Sequence, residues 1–593
     1  MDKILTDIER PEEGAANKKA AACYGSDAIA ETLADLGISY IALNPGASYR
    51  GLHDSLVNHL GNQSPQMLVC LHEEHAVALA HGYAKVTERP MGAIVHSNVG
   101  LMHATMAVYD AWCDRVPVLL MGATGPMDAA LRRPWIDWIH TTQDQGALVR
   151  NYVKWDDQPA SAAAAVESLY RGALIAQTPP CGPVYINFDA RMQEDPLPAP
   201  LPQADPKRYA PPPPNAPNVD ALHEAAKRLS GAKNPVILMG RVSRGEDAWA
   251  LRLGLAETLK ARVITDLKTG AAFPTDHPFH VGSPGMFPGE PAKQALRDAD
   301  VILSLDWIDL GGTLTLAYEG AGIDAHIIQV SPDQYNHNGW SKDHQSLPPA
   351  DHYFMTTPDA FVEAISRTLN FSGSDGSAYE AVSFPSAKSD GKSLGIGDIA
   401  VSLQEATGDR EIAIIRLPIG WSGEFYAFRH PLDFLGFDGG GGIGSGPGMS
   451  VGAALALMGS QRLPVAVLGD GDCLMGLTAI WTAVHYRIPL LIIVSNNRSF
   501  FNDELHQERV ARHRDRPIEN RWIGQSIDDP APDIAKLAEG QGATGFGPVT
   551  DRDDLLETLK AAIDIVDNGG VAVVDVHVAR GYDSGTTTSL TRG

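Results

Sequence analysis

Val465–Gly476 reads VAVLGDGDCLMG, and Leu490–Phe500 reads LLIIVSNNRSF. Each segment is a short, continuous apolar run, the pattern of a strand buried on both faces. The first ends in Gly469-Asp470-Gly471-Asp472 and the second in Asn496-Asn497. The intervening CLMGLTAIWTAVHYR has a helical pattern, so the unit reads strand–helix–strand. Right-handed crossover makes the two strands parallel and brings their carboxyl ends to one edge, where open α/β sheets bind ligands. Asp470 and Asn497 then offer a carboxylate and an amide oxygen, hard ligands suited to Mg2+ or Ca2+. Gly469 and Gly471 let the backbone approach closely and present N–H groups to a phosphate at a helix start.

The same alternation extends outward through the chain. Residues 196–217 are too rich in proline for helix or central strand, and residues 371–393 are rich in Ser and Gly. These linkers divide the chain into domains at 21–195, 218–370 and 394–593. In the first, Asp27 is placed to cap AIAETLADLG, Gly37 suits its left-handed end, and the strand SYIALNPG follows. In the second, the runs NPVILMG and ADVILSLDW lie beside the helical WALRLGLAETLKA. The expected fold class is α/β, with three doubly wound parallel-sheet domains.

A chain of 593 residues requires several cores. The formal net charge of -25 argues against nucleic acid as a partner but leaves anionic ligands open through backbone N–H groups. No apolar run approaches a membrane span, and MDKILTDIERPEEG has no signal-peptide core. Five scattered cysteines without a CxxC suggest neither zinc nor a disulfide framework, and a reducing cytoplasm is the expected location.

The 27-position spacing from Asp470 to Asn497 resembles the GDG…NN signature of thiamin-diphosphate (ThDP)-dependent enzymes. The resemblance implies Mg2+ held by Asp470, Asn497 and the backbone carbonyl of Ser499, bridging the cofactor diphosphate beside Gly469, Gly471 and Asp472. Leu71-His72-Glu73-Glu74-His75-Ala76, followed by Ala80-His81-Gly82-Tyr83-Ala84-Lys85, resembles the family segment whose glutamate bonds the pyrimidine ring. Glu73 is then implied as the group that favours the imino tautomer and helps remove the C2 proton. In Gly439-Gly440-Gly441-Gly442-Ile443-Gly444, Ile443 is implied to hold the cofactor bent, and the Gly441 carbonyl to meet the pyrimidine amino group.

The order of these motifs resembles the acetolactate synthase and benzoylformate decarboxylase branch, with pyrimidine-binding, central and diphosphate-binding domains. AIVHSNVG and FPTDHP place His96 and His277 on catalytic histidines of that branch. The resemblance departs at NPGAS, where Ala47 stands in place of the serine that contacts the substrate carboxylate, and beyond Asn497. There Asn502, Asp503, Glu504 and His506 are candidates to bring polar groups to the substrate, as is His140 from the first domain. Arg241 and Arg244 are candidates to meet a nucleotide phosphate, since FAD or the ADP part of coenzyme A sits on the central domain of some relatives.

The implied activity is 2-oxo acid decarboxylation or carboligation of a small molecule. The alternatives are cleavage of a 2-hydroxyacyl-CoA, an acyloin or a dione, and a scaffold of the same fold without turnover. The resemblance further implies a homodimer with shared sites, paired into a tetramer.

Overall fold

The computed structural model describes residues 22–202, 204–333, 347–374, 393–437 and 439–582, together with Glu12, Tyr335, Trp340, Gly376 and residues 379–382. Most of the N-terminal stretch and of the second expected linker, 371–393, lies outside the described residues.

Three parallel sheets succeed one another along the chain. The first contains β1 (Tyr40–Leu43), β2 (Gln66–Val69), β3 (Met91–Val95), β4 (Val118–Thr124), β5 (Asp156–Asp157) and β6 (Val184–Asp189), in the order β2-β1-β3-β4-β6-β5. The second contains β7 (Pro235–Met239), β8 (Arg262–Ile264), β9 (Val301–Leu305), β10 (His326–Val330) and β11 (His352–Phe354), in the order β11-β10-β9-β7-β8. The third contains β12 (Ile412–Arg416), β13 (Leu463–Gly469), β14 (Leu490–Asn496), β15 (Thr544–Val549) and β16 (Val571–His577), in the order β12-β13-β14-β16-β15. Central strands such as β3, β4 and β14 are buried along their whole length, which is why they read as unbroken Val/Ile/Leu runs.

Local chemistry differs from the sequence reading at two points. The first helix begins at Gly25, not after Asp27; Asp27 sits inside the first turn and its Oδ2 accepts the N–H groups of Cys23 and Tyr24. Gly37 adopts φ +73° just past the helix end, as expected. The segment between β13 and β14 is two short helices, Asp470–Met475 and Ala479–His485, with Gly476 at the break.

The first and third domains meet through glycines. The helix Glu73–Thr87 lies against the helix Gly446–Leu457 so closely that a Cβ at Gly82 would fall 1.9 Å from the Met449 carbonyl oxygen, and one at Gly452 would fall 1.8 Å from that of Leu79. His75 Nε2 completes the seam with a 2.8 Å hydrogen bond to Thr478 Oγ1.

Candidate active site

The third-domain half lies where β13 and β14 end side by side, Gly469 in register with Ser495. Asp470 Oδ1 accepts the Gly471 N–H at 2.9 Å, and its Oδ2 accepts the Ser499 N–H at 3.1 Å. Asn497 Oδ1 accepts that same N–H at 2.9 Å. A carboxylate oxygen and an amide oxygen therefore converge on one point. Burial pushes the Asp470 carboxyl above its ordinary range, and the N–H groups of Gly471 and Ser499 pull it back. Asn496 is not part of this convergence, because its Nδ2 donates to Asp575 Oδ1 at 2.9 Å.

Asp472 has a different task from the one the sequence suggested. One carboxylate oxygen takes Arg416 Nε at 2.7 Å; the other takes the N–H groups of Gly444 and Gly446 at 2.7 and 3.2 Å. Its lone pairs are committed to holding the glycine-rich loop. That loop is also fixed by the first domain, since the Gly439 N–H donates to Asp114 Oδ1 at 2.8 Å. At the loop tip, Gly441 adopts φ +69° and a Cβ there would meet nothing within 4 Å. Ile443 stands next to it, 40% exposed. An open backbone cradle beside a projecting apolar side chain suits a flat ring.

The first-domain half gathers around Glu73, the first residue of its helix. Glu73 Oε2 lies 3.0 Å from His103 Nδ1, and Gly100 packs under Oε1, where a Cβ would lie only 3.1 Å away. His72 caps the helix by accepting the Glu74 N–H and stacks on His103 at 5.1 Å. The ligand atoms of His72, Glu73 and His103 all lie within 4.8 Å of one another.

His96 follows β3 with its Nδ1 2.9 Å from Ser48 Oγ, and its ring lies 4.7 Å from that of His140. Burial and His140 lower the His96 pKa, opposed by Glu73. His140 thus joins His96, as the sequence allowed. Ser48 was missed, because the reading concentrated on Ala47. In the 3-10 turn Ala47–Tyr49, Ala47 faces out and Ser48 faces in.

Two other expectations fail on geometry. His277 is 3% exposed inside the second domain, its ring set against Phe273, Phe279 and Tyr379 and its Nε2 facing Glu257 at 3.5 Å. It is walled in by aromatic rings. Glu504 is 1% exposed on the helix Phe501–His513 and is bonded to Ser499 Oγ and Arg580, so it is not free for a substrate. Asp503 is exposed and His506 half-buried on the same helix. Asn502 behaves differently: its Oδ1 is enclosed without a hydrogen-bond partner among the described residues.

Arg244 is also committed, donating to the carbonyls of Pro431, Phe434 and Leu435, with burial lowering its pKa to about 10. It staples the second domain to the third beside a cleft of about 320 Å3 at the β7, β8 and β9 ends, lined by Lys85, Arg115, Arg241, Lys268 and Asp306.

Known families match in the same three blocks. Residues 24–148 match the N-terminal TPP binding domain of thiamine pyrophosphate enzymes, 222–343 the central domain, and 418–576 the C-terminal TPP binding domain. The chain belongs to the thiamine pyrophosphate enzymes. Thiamine pyrophosphate is another name for ThDP.

Among relatives of this ThDP enzyme is benzoylformate decarboxylase of Pseudomonas aeruginosa, 25% identical over 83% of this chain and 88% of the relative. A probable acetolactate synthase large subunit of Methanocaldococcus jannaschii is 24% identical over 91% and 90%. The solved ThDP-dependent 4-hydroxybenzoylformate decarboxylase of Rhodococcus jostii RHA1 shares the fold, with a TM-score of 0.74 at 22% identity over 94% of this chain and 99% of that one. The chain is thus a ThDP-dependent enzyme of the benzoylformate decarboxylase and acetolactate synthase type, a carbon–carbon lyase or carboligase. No described helix is long and apolar enough to cross a membrane.

Proposed function

We propose that this ThDP enzyme decarboxylates a 2-oxo acid, or ligates the resulting acyl unit to a second carbonyl, with Mg2+ as the cation. The observation that carries the cation site is the convergence of Asp470 Oδ2 and Asn497 Oδ1 on one N–H at adjacent strand ends. A hard divalent cation takes oxygen ligands of this kind and needs diphosphate oxygens to fill its remaining positions. The Ser499 carbonyl is the third protein ligand in this reading. Gly469 and Gly471 would lie against the diphosphate, the Gly441 carbonyl would meet the pyrimidine and Ile443 would keep the cofactor bent, while Asp472 holds their loop.

Bound ThDP supplies an electron sink that lets a bond beside a carbonyl break. The chain supplies orientation and proton transfer. Glu73, tucked in a first-domain pocket with His103 on Oε2 and Gly100 under Oε1, would hold the pyrimidine end of the cofactor and could give or take a proton at its carboxylate. His96 delivers a proton to the product side. Its Nδ1 faces the Ser48 hydroxyl at 2.9 Å, and that hydroxyl also accepts the Ser97 N–H at 3.2 Å, so Ser48 ties the ring to the start of the following helix. His140 Nδ1 donates to the Ile136 carbonyl at 2.9 Å, since a carbonyl can only accept. Ser48→Ala is expected to lower kcat about tenfold with little change in KM, because the His96 ring loses the hydroxyl that orients it. An unchanged kcat would remove Ser48 from this role.

The described bonds and packing contacts of Glu73 and His96 stay in the first domain, and those of Asp470 and Asn497 stay in the third. The family resemblance is the ground for reading the site as assembled between two chains, in a homodimer that pairs into a tetramer.

Relatives named for benzoylformate decarboxylation and acetolactate synthesis support a 2-oxo acid substrate. The absence of a hydroxyl at Ala47, where the family has the serine that contacts the substrate carboxylate, argues against benzoylformate itself. The cleft with Arg241 and Lys268 favours a second reading, in which the substrate is a 2-hydroxyacyl-CoA and its ADP end occupies that cleft. A panel of aliphatic and aromatic 2-oxo acids, acyloins and 2-hydroxyacyl-CoA esters, followed by mass spectrometry, decides between them. Release of CO2 from a 2-oxo acid is expected; turnover of CoA esters alone overturns the first reading.

A further inference from the structure

Arg580 lies three residues beyond the end of β16 and is not part of either half of the site described above. Its guanidinium meets five acceptors. Nε donates to the Asn497 carbonyl at 3.2 Å; Nη2 donates to the Arg498 carbonyl at 3.1 Å, Ser526 Oγ at 2.8 Å and Asp528 Oδ2 at 2.9 Å. Nη1 donates to Glu504 Oε1 at 3.3 Å. Glu504 in turn accepts the Ser499 hydroxyl and faces Arg521 Nε at 3.4 Å. One planar fork therefore holds the peptide on each side of Arg498, and its carboxylate partner holds the side chain of Ser499.

We propose that Arg580 is a positioning residue of the cation site, acting through Glu504 and the carbonyls of Asn497 and Arg498. The inference rests on the reading of Asp470, Asn497 and Ser499 as cation ligands. The loop needs such support. Arg498 has φ +58°, a left-handed conformation uncommon for a non-glycine residue, and it sits between the two proposed ligands. A fixed guanidinium fork suits this geometry, because its donors lie in one plane at set angles. A lysine has the charge but not the span. The outer partners of metal ligands commonly set affinity by 10–100-fold.

The test is the Mg2+ dependence of ThDP binding by the full-length apo-protein, measured by equilibrium dialysis at fixed ThDP. Arg580→Gln is expected to raise half-saturating Mg2+ at least about tenfold, while kcat at saturating Mg2+ stays within about threefold of wild type. Arg580→Lys should give a smaller shift in the same direction, and it serves if the glutamine variant does not fold. A purely structural role would lower the melting temperature and kcat without moving half-saturation. Unchanged half-saturation in the folded variants overturns the proposal, whatever happens to activity. Asp470→Asn, measured alongside, tests the underlying reading. Wild-type Mg2+-dependent ThDP binding in that variant would remove the cation site, and with it the role of Arg580.

Discussion

Asp470→Ala is expected to abolish Mg2+-dependent ThDP binding while the chain stays folded. Asp470 brings the only negative charge among the three proposed protein ligands, and the partner amide of Asn497 cannot replace it. Since even the outer partners of metal ligands cost 10–100-fold, loss of the charged ligand should weaken binding by more than about a hundredfold. The fold should survive because burial already disfavours the Asp470 charge, so its removal takes away a strained group. Dialysis of wild type against a chelator should release ThDP in the same way, and added Mg2+ should restore it only in wild type. Unchanged ThDP affinity for Asp470→Ala in excess chelator would place the cation elsewhere.

Glu73→Gln should leave ThDP bound but slow hydrogen–deuterium exchange at its C2 by about 10²–10⁴-fold, the usual range for loss of a positioned proton-transfer group. The substitution is local by construction. A glutamine carbonyl oxygen can still accept from His103 Nδ1 at the present 3.0 Å, and the helix start keeps its His72 cap. What disappears is the ability to exchange a proton with the cofactor ring. Exchange at the wild-type rate would exclude Glu73 from that step, even if turnover fell for another reason.

The legible part of this protein was the part that backbone geometry enforces. A diphosphate and a hard cation at two adjacent strand ends demand small residues and oxygen ligands at a fixed spacing, so Asp470 and Asn497 stood out from one sequence. Glu73 stood out only through the family resemblance, because a glutamate at a helix start is by itself an ordinary charged residue. The misread residues are those whose role depends on where a side chain points. His277 follows a recognisable Asp-His-Pro pattern, but that pattern does not say that Phe273, Phe279 and Tyr379 enclose the ring. Ala47 drew attention at a familiar position, while the 3-10 turn directs Ser48 inward.

Glu504 was read as a polar group near the substrate. The buried positions Phe501, Glu504 and Ala511 lie on one helical face, a spacing that could have indicated a packed helix. Asp472 looked like part of the phosphate turn, yet its partners Arg416, Gly444 and Gly446 come from distant segments that spacing alone does not bring together.

The central claim is that one active site takes Glu73 and His96 from one chain and Asp470 and Asn497 from another. Complementation tests it most directly. Glu73→Ala and Asp470→Ala chains, each inactive alone, are unfolded, mixed in equal amounts and refolded, with subunit exchange verified by mass-tagged chains. Half of the dimers should then be mixed. In each mixed dimer one site collects both substitutions and the other collects neither, so activity should return to about a quarter of the wild-type level. Verified mixed dimers with no recovered activity would contradict a shared site.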